Sequence, residues 1–412
     1  MSGTETTLRG PSGAPPTWSP ASLAHLWWQK VRTGEIGSAP IILAIVLIGV
    51  FFQTKNSNFL SATNFNNLLV QMAGVTVIAF GVAFVLLIGE IDLSVGFISG
   101  IAGVAVAEFQ LPGSSHDYPG LVAILFAVLV GAVIGVFQGS FVAFLGVPSF
   151  VVTLAGNLAW QGVILRSLPQ GVIVIQDSTI NDIANYFFSP TVGWIVAAAI
   201  AGSYALITLN DIRVQRRSRL PVDDLPGRLA RIAVVAALSA GVAYWAGTDP
   251  RRGLPFAALL IVALLALLSV LAARTTFGRH VYAVGGNAEA AHRAGINVTR
   301  IRLLVFTISG AMSALGGVIF ASQLRSVDLS AGGGTILLDS IAAAVIGGVS
   351  LFGGRGRVGG VVFGALVIAI IANGTDLVGY SASAQYIITA AILLAAVTLD
   401  TLARRRLADS GL

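Results

Sequence analysis

Long apolar stretches alternate with short polar connections along almost the whole chain, and this alternation predicts a membrane protein. A helix needs about 20 apolar residues to cross the hydrocarbon core of a bilayer. By that measure the sequence predicts an all-α polytopic membrane protein with about twelve transmembrane helices. The predicted spans lie near residues 38–53, 66–89, 94–110, 120–145, 149–166, 191–209, 230–247, 254–273, 301–322, 336–350, 358–372 and 384–400.

The chain begins with a polar segment rich in Gly, Ser, Thr and Pro, which predicts a disordered tail. The stretch "LAHLWWQKV" (residues 23–31) has apolar residues at helical spacing and a pair of tryptophans, as is typical of a helix at the membrane interface. A frayed lead-in to the first span explains the same pattern. Residues 1–36 are therefore predicted to form a cytoplasmic tail with an interfacial helix.

The positions of the basic residues predict which connections face the cytoplasm. If the N-terminus is cytoplasmic, 19 of the 24 Lys and Arg residues lie in inward-facing segments and five lie outside. Basic residues are enriched in cytoplasmic loops, so this division predicts that both termini are cytoplasmic. One span more or fewer would destroy the asymmetry.

The same topology divides the chain into six parts. These are the tail at 1–36, six spans at 37–209, an Arg-rich cytoplasmic loop with an inserted helix pair at 210–273, a cytoplasmic segment at 274–300, four spans at 301–403 and a cytoplasmic tail at 404–412. Hydrophobic residues make up 56% of the chain and charged residues 10%, against about 25% charged in a soluble domain, which supports the membrane prediction.

Composition excludes several kinds of chemistry. The net charge of +6 does not indicate nucleic-acid binding, because the arginines are scattered between apolar runs. There is no cysteine for a disulfide, a thiolate metal site or a nucleophile. The phosphate-binding loop G-x-x-x-x-G-K-[ST] needs lysine after glycine, whereas Lys30 and Lys55 follow Gln29 and Thr54. We expect no enzyme activity, no catalytic residue, and no cofactor or metal bound by this chain.

The cytoplasmic segment contains a short polar helix with well-formed ends, within "TTFGRHVYAVGGNAEAAHRAGINVTRIRLL" (residues 275–304). Asn287 is a good N-cap and Glu289 lies in the first turn. Arg293 lies in the last turn, and Gly295 is placed to take the left-handed conformation that ends a helix. Such a slim, Ala-rich helix could bind in a groove on a partner protein, although an ordinary surface helix fits the same spacing.

Two Gly-rich turns are predicted on the same side of the membrane. The turn at 86–100 carries Glu90 and Asp92, and the turn at 347–360 carries Arg355 and Arg357. An ionisable side chain at membrane depth costs about 2.5–3.5 kcal/mol, so it usually has a partner or lines water. These turns could therefore belong to a transport pathway or a docking surface, or could simply lie at headgroup depth.

Glycine is also frequent inside the predicted spans, for example in "VLVGAVIGVFQGS" and "ISGAMSALGGVIFAS". Small residues at a spacing of about four let helices approach closely in lipid. We expect most of these glycines to serve helix packing.

Four stretches of the chain carry a recognisable pattern: "GEIDLSVG" (89–96), "VPSFVVTLAG" (147–156), "YAVGGNAEAAHRAGINV" (282–298) and "RSVDLSAGGGTILLDSIAAAVIGGVSLFGGRGRVGG" (325–360). They resemble the motifs of the permease subunits of bacterial ABC sugar importers, the family of ribose, xylose, arabinose and galactoside permeases. With the spans between them, the resemblance covers roughly residues 40–400. Four motifs in order over that length make it specific.

The resemblance implies a type II ABC importer permease-like fold with ten core spans, to which this chain adds two within 210–273. Longer relatives that resemble D-xylose and multiple-monosaccharide permeases carry such an insertion, so the resemblance favours D-xylose or another aldose as substrate. The chain departs from the family at Gln161-Gly162, where Arg-Gly is frequent, and at Leu329, where Pro is frequent. The first departure puts the sugar selectivity in doubt.

The resemblance also implies partners in a bacterial cytoplasmic (inner) membrane. Two copies of the chain would form the pathway at their interface, as a homodimer in the lipid bilayer. A periplasmic, extracytoplasmic sugar-binding protein would dock outside, and an ABC ATPase would use ATP-Mg inside. The implied ATPase-coupling residues are Gly285, Gly286, Asn287, Glu289, Ala290, Ala291, Arg293, Gly295 and Ile296, next to the Gly-rich turn with Gly353, Gly354, Arg355 and Arg357.

Polar residues in or beside the spans are candidates for the transport pathway or its gate, because sugars bind planar hydrogen-bonding groups and aromatic faces. Each could equally satisfy a neighbouring helix. The candidates are Glu90, Asp92, Gln138, Asn157, Trp160, Gln161, Asn373 and Gln385.

Other functions remain open on sequence alone. The substrate could be ribose, arabinose, galactose or a branched-chain amino acid. An ion-coupled secondary transporter would be expected to place charged or Na⁺-coordinating groups at the membrane midplane, and this chain has few. A membrane enzyme is disfavoured because no catalytic motif is present.

Overall fold

The computed structural model describes residues 39–111, 113, 117–218, 225–249 and 252–409. The interfacial helix predicted at residues 23–31 lies outside these ranges. The described part contains fifteen helices and two short strands. In chain order they are α1 Ala39–Lys55, α2 Ala62–Leu87, α3 Val95–Glu108, α4 Gly120–Phe144, α5 Ser149–Ser167, β1 Val172–Val174, α6 Ser178–Asn185, α7 Pro190–Arg217, α8 Leu225–Gly247, α9 Phe256–Arg274, α10 Thr276–Gly286, α11 Ala288–Arg293, α12 Val298–Leu324, β2 Ser326–Asp328, α13 Ile336–Ile346, α14 Gly360–Val378 and α15 Ala382–Asp409.

A helix coincides with each of the twelve predicted spans, namely α1–α5, α7–α9 and α12–α15. Seven of them are long and apolar enough to cross a membrane: α2, α4, α7, α8, α9, α12 and α14. The apolar parts of α1, α3, α13 and α15 are shorter, and α5 is not among the seven. The chain is therefore a helical, multi-pass membrane protein, while the count of twelve spans stays a prediction.

Two predicted boundaries differ from the structure, one by about two turns and one at the start of a tail. α7 continues through Arg217, about two turns beyond the predicted span end at 209, so much of the predicted Arg-rich loop is helical. α15 continues to Asp409, so the predicted tail at 404–412 begins as helix. Both extensions are polar and Arg-containing, and a search for apolar runs ends spans too early where a helix continues into water.

α13 is much shorter than a membrane span. Its eleven residues reach about 16 Å at about 1.5 Å per residue, roughly half of the hydrocarbon core. The preceding residues 329–335 are not helical, and a Cβ on Gly96 of α3 would lie 2.7 Å from the carbonyl oxygen of Gly332 in that segment. Non-helical backbone is tolerated at membrane depth where protein covers it, and α3 provides this cover.

α12 is the central helix, and it packs against α2, α3 and α4. A Cβ on Gly310 would clash with the carbonyl oxygen of Gly131 in α4, and one on Gly317 would clash with the carbonyl oxygen of Ser99 in α3. The prediction that glycines within the spans serve close helix packing is confirmed at these contacts.

The predicted inserted pair corresponds to α8 and α9, and α8 packs against α7 on one side and contacts α2 on another. Asn66 donates a hydrogen bond of 3.2 Å to the carbonyl oxygen of Ala246, and the Trp245 indole donates one of 3.1 Å to Leu60. These contacts hold α8 beside the beginning of α2.

A small antiparallel ribbon and α6 lie at one end of the bundle, which we call the strand end. β1 pairs with β2 so that Ile173 faces Val327. Three-residue strands show no usable alternation of apolar and polar residues, so neither strand was predicted. The opposite end carries α10 and α11, and we call it the α11 end.

Candidate coupling surface and transport pathway

The segment between α9 and α12 forms two helices, of which the sequence analysis predicted only the second. Phe277, Val281 and Val284 lie along one face of α10 at helical spacing. Both valines are buried, and the Phe277 ring stacks on Phe84 of α2 at 6.3 Å between ring centroids. The apolar spacing was visible in the sequence, but the three glycines of α10 disfavour helix.

The predicted short helix is present as α11, with the predicted ends. Asn287 is its N-cap and accepts a hydrogen bond of 2.9 Å from the Ala290 N–H. Gly295 has φ = +84°, the left-handed conformation expected of a residue that ends a helix. Glu289 and Arg293 form an exposed ion pair one turn apart.

α11 presents most of its surface to solvent. Ala291 is the buried residue of the helix, and it fastens α11 to the core. Ala290, Arg293 and Gly295 are exposed, together with Glu289. These four predicted coupling residues therefore form an accessible surface, while Ala291 and Ile296 hold the segment to the core.

Three separate segments meet beneath α11 through glycine backbone, at a place we call the glycine junction (Gly89, Gly285, Gly353 and Gly354). The Gly354 N–H donates a 2.9 Å hydrogen bond to the carbonyl oxygen of Leu87 at the end of α2. A Cβ on Gly285 would clash with that oxygen and would lie 2.6 Å from the Gly354 nitrogen. Gly89, Gly353 and Gly354 all have positive φ, which favours glycine. The ends of α2 and α10 and the turn before α14 are thus held in backbone contact.

Tyr282 adds a side-chain link to the same turn. Its hydroxyl donates a hydrogen bond of 2.9 Å to the carbonyl oxygen of Gly356. Burial raises the pKa of the phenol, and the nearby Arg357 opposes that shift. The hydroxyl therefore keeps its proton and its role as donor, while the predicted turn residues Arg355 and Arg357 are exposed.

The two acidic residues after α2 have different surroundings. Asp92 is 3% exposed and accepts hydrogen bonds from the Ser94 N–H (3.0 Å), the Ser94 hydroxyl (2.6 Å) and the Ser309 hydroxyl of α12 (2.9 Å). Glu90 instead pairs with Arg302 at the beginning of α12, with 3.2 Å between Oε1 and Nε. Asp92 thus belongs to the protein interior, and Glu90 joins the turn to α12.

The amide of Gln138 connects this carboxylate to α5. Gln138 is 1% exposed, and its Oε1 atom lies 2.9 Å from the Ser94 hydroxyl oxygen. Within the described residues the Gln138 Nε2 and Trp160 Nε1 donors have no hydrogen-bond partner, and both lie against Gly156 of α5.

Four predicted pathway residues come together here. Asn157 completes the group by donating a hydrogen bond of 2.7 Å to the carbonyl oxygen of Leu93. We call the group the buried polar cluster; it consists of Asp92, Ser94, Gln138, Asn157, Trp160 and Ser309. Gln161 is exposed and Gln385 is half-buried on α15, so pathway roles for these two stay predictions.

The Asp-Leu-Ser sequence of this cluster occurs twice in the chain. Asp328 accepts hydrogen bonds from the Ser330 N–H (2.8 Å) and hydroxyl (2.6 Å), the same turn that Asp92 and Ser94 form. The helices before the two copies, α2 and α12, run in opposite directions, as in the inverted repeats of many transporters. The second copy is exposed whereas Asp92 is buried.

Amide side chains form another polar group toward the strand end. Asn373 donates hydrogen bonds of 3.0 Å to the side-chain oxygens of Asn64 and Gln71, and Asn64 donates one of 2.8 Å to Asn373. Asn64, Asn67 and Gln71 lie on one face of α2 at spacings of three and four. Sequence reasoning found Asn373 but missed these α2 amides, although amides at helical spacing in an apolar span were a visible signal.

Two of these amides, Asn67 and Gln71, line a cavity of about 390 Å³ at the strand end. Arg252 donates a hydrogen bond of 3.3 Å to Asn67 and lies 4.9 Å from the centre of the Phe187 ring. Arg325 has φ = +53°, the only positive φ of a non-glycine residue in the described ranges, and such strain is often found at functional sites. The lining residues are Asn67, Val70, Gln71, Ala184, Asn185, Phe187, Arg252, Gln323 and Arg325.

The described residues include no group of three or more His, Cys, Asp or Glu that could hold a metal ion. The polar groups described above are amides, hydroxyls, guanidinium groups and one buried carboxylate. Such groups can hydrogen-bond an uncharged polyhydroxy compound.

We predict that Asp92→Ala destabilises the protein more than Asp328→Ala does. The first change leaves buried serine donors without an acceptor, at a cost of roughly 1–3 kcal/mol for each. The second change removes the equivalent turn at Asp328 and Ser330, which is exposed, so water can accept the serine hydrogen bonds instead. Thermal unfolding in detergent measures the difference, and an equal shift for the two variants would show that the buried hydrogen bonds contribute nothing.

Comparisons with known proteins agree with this picture of a membrane transport subunit. A family described as branched-chain amino acid transport system / permease component matches residues 64–397. The chain is 37% identical over 383 residues to the xylose transport system permease protein of Haemophilus influenzae, covering 92% of this chain and all of the relative. It is 38% identical to the corresponding Escherichia coli K12 protein (89% of this chain, 92% of the relative). The D-allose transport system permease protein of Escherichia coli K12 is 31% identical (92% and 93%).

No solved structure matches the chain. The sequence relatives are nonetheless permease proteins over almost their whole length, and they confirm the resemblance carried by the four motifs. The chain belongs to the family of permease subunits of bacterial ABC sugar importers.

Proposed function

We propose that this chain is the membrane-spanning subunit of an ATP-driven importer of a monosaccharide, D-xylose or a related aldose. The observation that carries the proposal is the likeness to xylose permease proteins, 37% and 38% identical over about nine-tenths of the chain. The subunit lies in a bacterial inner membrane and works as a homodimer, with the sugar pathway at the interface between the two copies.

The topology that goes with this function has twelve spans and both termini in the cytoplasm, ten spans forming a type II importer core. Asn56 at the end of α1 donates a hydrogen bond of 2.8 Å to Leu377 at the end of α14. This contact places the beginning of α1 toward the α11 end, where α15 also finishes. The basic residues favour the same end as the cytoplasmic one.

The ABC ATPase docks on the exposed surface of α11 and supplies the energy. Among the residues that the structure describes, that surface is exposed, and α11 is fastened to the bundle at Ala291. Movement of the ATPase then passes through the glycine junction into α2 and α14, because backbone atoms in direct contact leave no space for independent motion. ATP-Mg is used by the ATPase, and this chain binds no cofactor.

The cavity at the strand end receives the sugar from an extracytoplasmic binding protein. Its amides, guanidinium groups and one aromatic ring suit a neutral sugar, which offers hydroxyl groups and an apolar face. The buried polar cluster lies deeper along α12, at Ser309, and gates the pathway together with Glu90. The two inserted spans and the Arg-rich segment lie beside this core.

Reconstitution tests the proposal directly. The purified permease is placed in liposomes with its ATPase and binding protein, and uptake of labelled D-xylose is compared with that of ribose, arabinose and galactose. We expect uptake of an aldose that requires ATP and both partners. Uptake by the permease alone, driven by a proton or Na⁺ gradient, would instead identify a secondary transporter.

We predict that Gly285→Ala uncouples ATP hydrolysis from uptake. The added Cβ clashes with the Leu87 carbonyl oxygen, and overpacking of this kind costs about 1–3 kcal/mol, where about 1.4 kcal/mol is a tenfold effect. Uptake should fall roughly tenfold while the protein still inserts and the ATPase still turns over.

Gly241→Ala in α8 is the matched control, because Gly241 is a helical glycine outside the coupling surface and nothing lies within 4 Å of its added Cβ. It should leave uptake per ATP unchanged. The role assigned to the glycine junction would be wrong if both variants behaved alike.

We also predict that Gln71→Leu lowers sugar uptake roughly tenfold, since the cavity loses an amide and Asn373 loses an acceptor at a cost of about 1–3 kcal/mol. The control is Gln170→Leu, an exposed glutamine in the turn after α5. Uptake is compared at equal amounts of monodisperse protein. Wild-type uptake by the Gln71 variant would exclude the cavity from the pathway.

A further inference from the structure

A second cavity, of about 460 Å³, lies between α7, α8 and α9 at the α11 end. Its lining residues are Tyr204, Ile207, Thr208, Asp211, Val214, Gln215, Arg228, Arg231 and Arg274. We propose that this cavity binds the headgroup of an anionic phospholipid from the membrane leaflet at the α11 end. The inference does not depend on which solute the protein transports.

Positive charge dominates the cavity. Two of its guanidinium groups come from α8 and one from α9, against the single carboxylate of Asp211 among the described lining residues. Arg274 and Asp211 are 3.6 Å apart and 58% and 50% exposed, so water weakens their attraction. Residues 210–231 carry six Arg and three Asp, so the excess remains positive when the connection at 219–224 is included.

The cavity also has the hydrogen-bonding groups that a phospholipid headgroup needs. Guanidinium groups bind phosphate through paired N–H donors. The Gln215 Oε1 atom is buried and has no hydrogen-bond partner within the described residues, so it can accept from a headgroup hydroxyl. The Thr208 hydroxyl donates to the Tyr204 carbonyl oxygen at 2.9 Å, which leaves its own oxygen free to accept. Phosphatidylglycerol presents both a phosphate and hydroxyl donors.

The surroundings favour a lipid over a dissolved anion. Ile207 and Val214 of α7 line the cavity, and both side chains are exposed. Apolar surface of α7 therefore borders the charged groups, where an acyl chain would lie. Basic pockets between transmembrane helices near the cytoplasmic side suit anionic lipid headgroups.

The depth of the cavity agrees with a headgroup position. The sequence predicts that the neighbouring spans end near 209, 230 and 273, and each charged lining residue stands within two residues of one of those points. Arg274 is the last residue of α9, and α10 begins at Thr276. A bound headgroup would therefore contact the chain two residues before the segment that carries α11.

The test uses the full-length protein, stripped of lipid in a neutral detergent and titrated with phosphatidylglycerol or phosphatidylcholine under native mass spectrometry. The cavity variant is Arg228→Gln with Arg274→Gln. The matched control is Arg216→Gln with Arg217→Gln, which removes two exposed arginines of the same region that do not line the cavity. Thermal unfolding of the lipid-free proteins checks that both are folded.

We expect phosphatidylglycerol to bind at least about tenfold more tightly than phosphatidylcholine, a preference that the cavity variant loses and the control keeps. Equal loss in both double variants would overturn the proposal, because general charge attraction would explain it. Full competition by millimolar inorganic phosphate would also overturn it in favour of a free-anion site. If the double cavity variant does not fold, Arg228→Gln alone decides the question by the same criterion.

Discussion

Direct backbone contact through glycine is the interaction on which the rest of this structure depends. Apolar side chains gain little when they exchange lipid for protein, so helices in a membrane associate through close packing and hydrogen bonds. α12 meets α4 where Gly310 faces Gly131, and meets α3 where Gly317 faces Ser99. This close approach also brings Ser309 within hydrogen-bonding distance of Asp92, so packing and the buried polar cluster have one origin.

The same kind of contact links the membrane part to the surface where energy would enter. At the glycine junction the ends of α2 and α10 and the turn before α14 touch without intervening side chains. Under the proposed function, movement of α11 would pass through α10 and the glycine junction to the helices that carry polar groups. Close backbone contact at glycine residues therefore explains both the compact helix bundle and the proposed transfer of motion from an ATPase.

Local features could be read from the sequence, whereas features that depend on packing could not. Asn287 and Gly295 set the ends of α11 by themselves, and both were recognised. Which face of a polar span is buried depends on neighbouring helices, so Gln138 and Gln161 looked alike although one is buried and the other exposed. The β1–β2 pairing joins distant parts of the chain, and no local pattern indicates it.

Site-directed cross-linking measures most directly whether α11 is where the motor protein binds. The chain has no cysteine, so a single Ala290→Cys variant gives an unambiguous attachment point on the exposed side of α11. In membranes containing the assembled transporter, a short bifunctional reagent should join this position to the ATPase subunit, and Gln170→Cys at the strand end should give no such product. Labelling of Ala290→Cys only from the outer face of the membrane, or cross-linking of Gln170→Cys to the ATPase instead, would contradict the account.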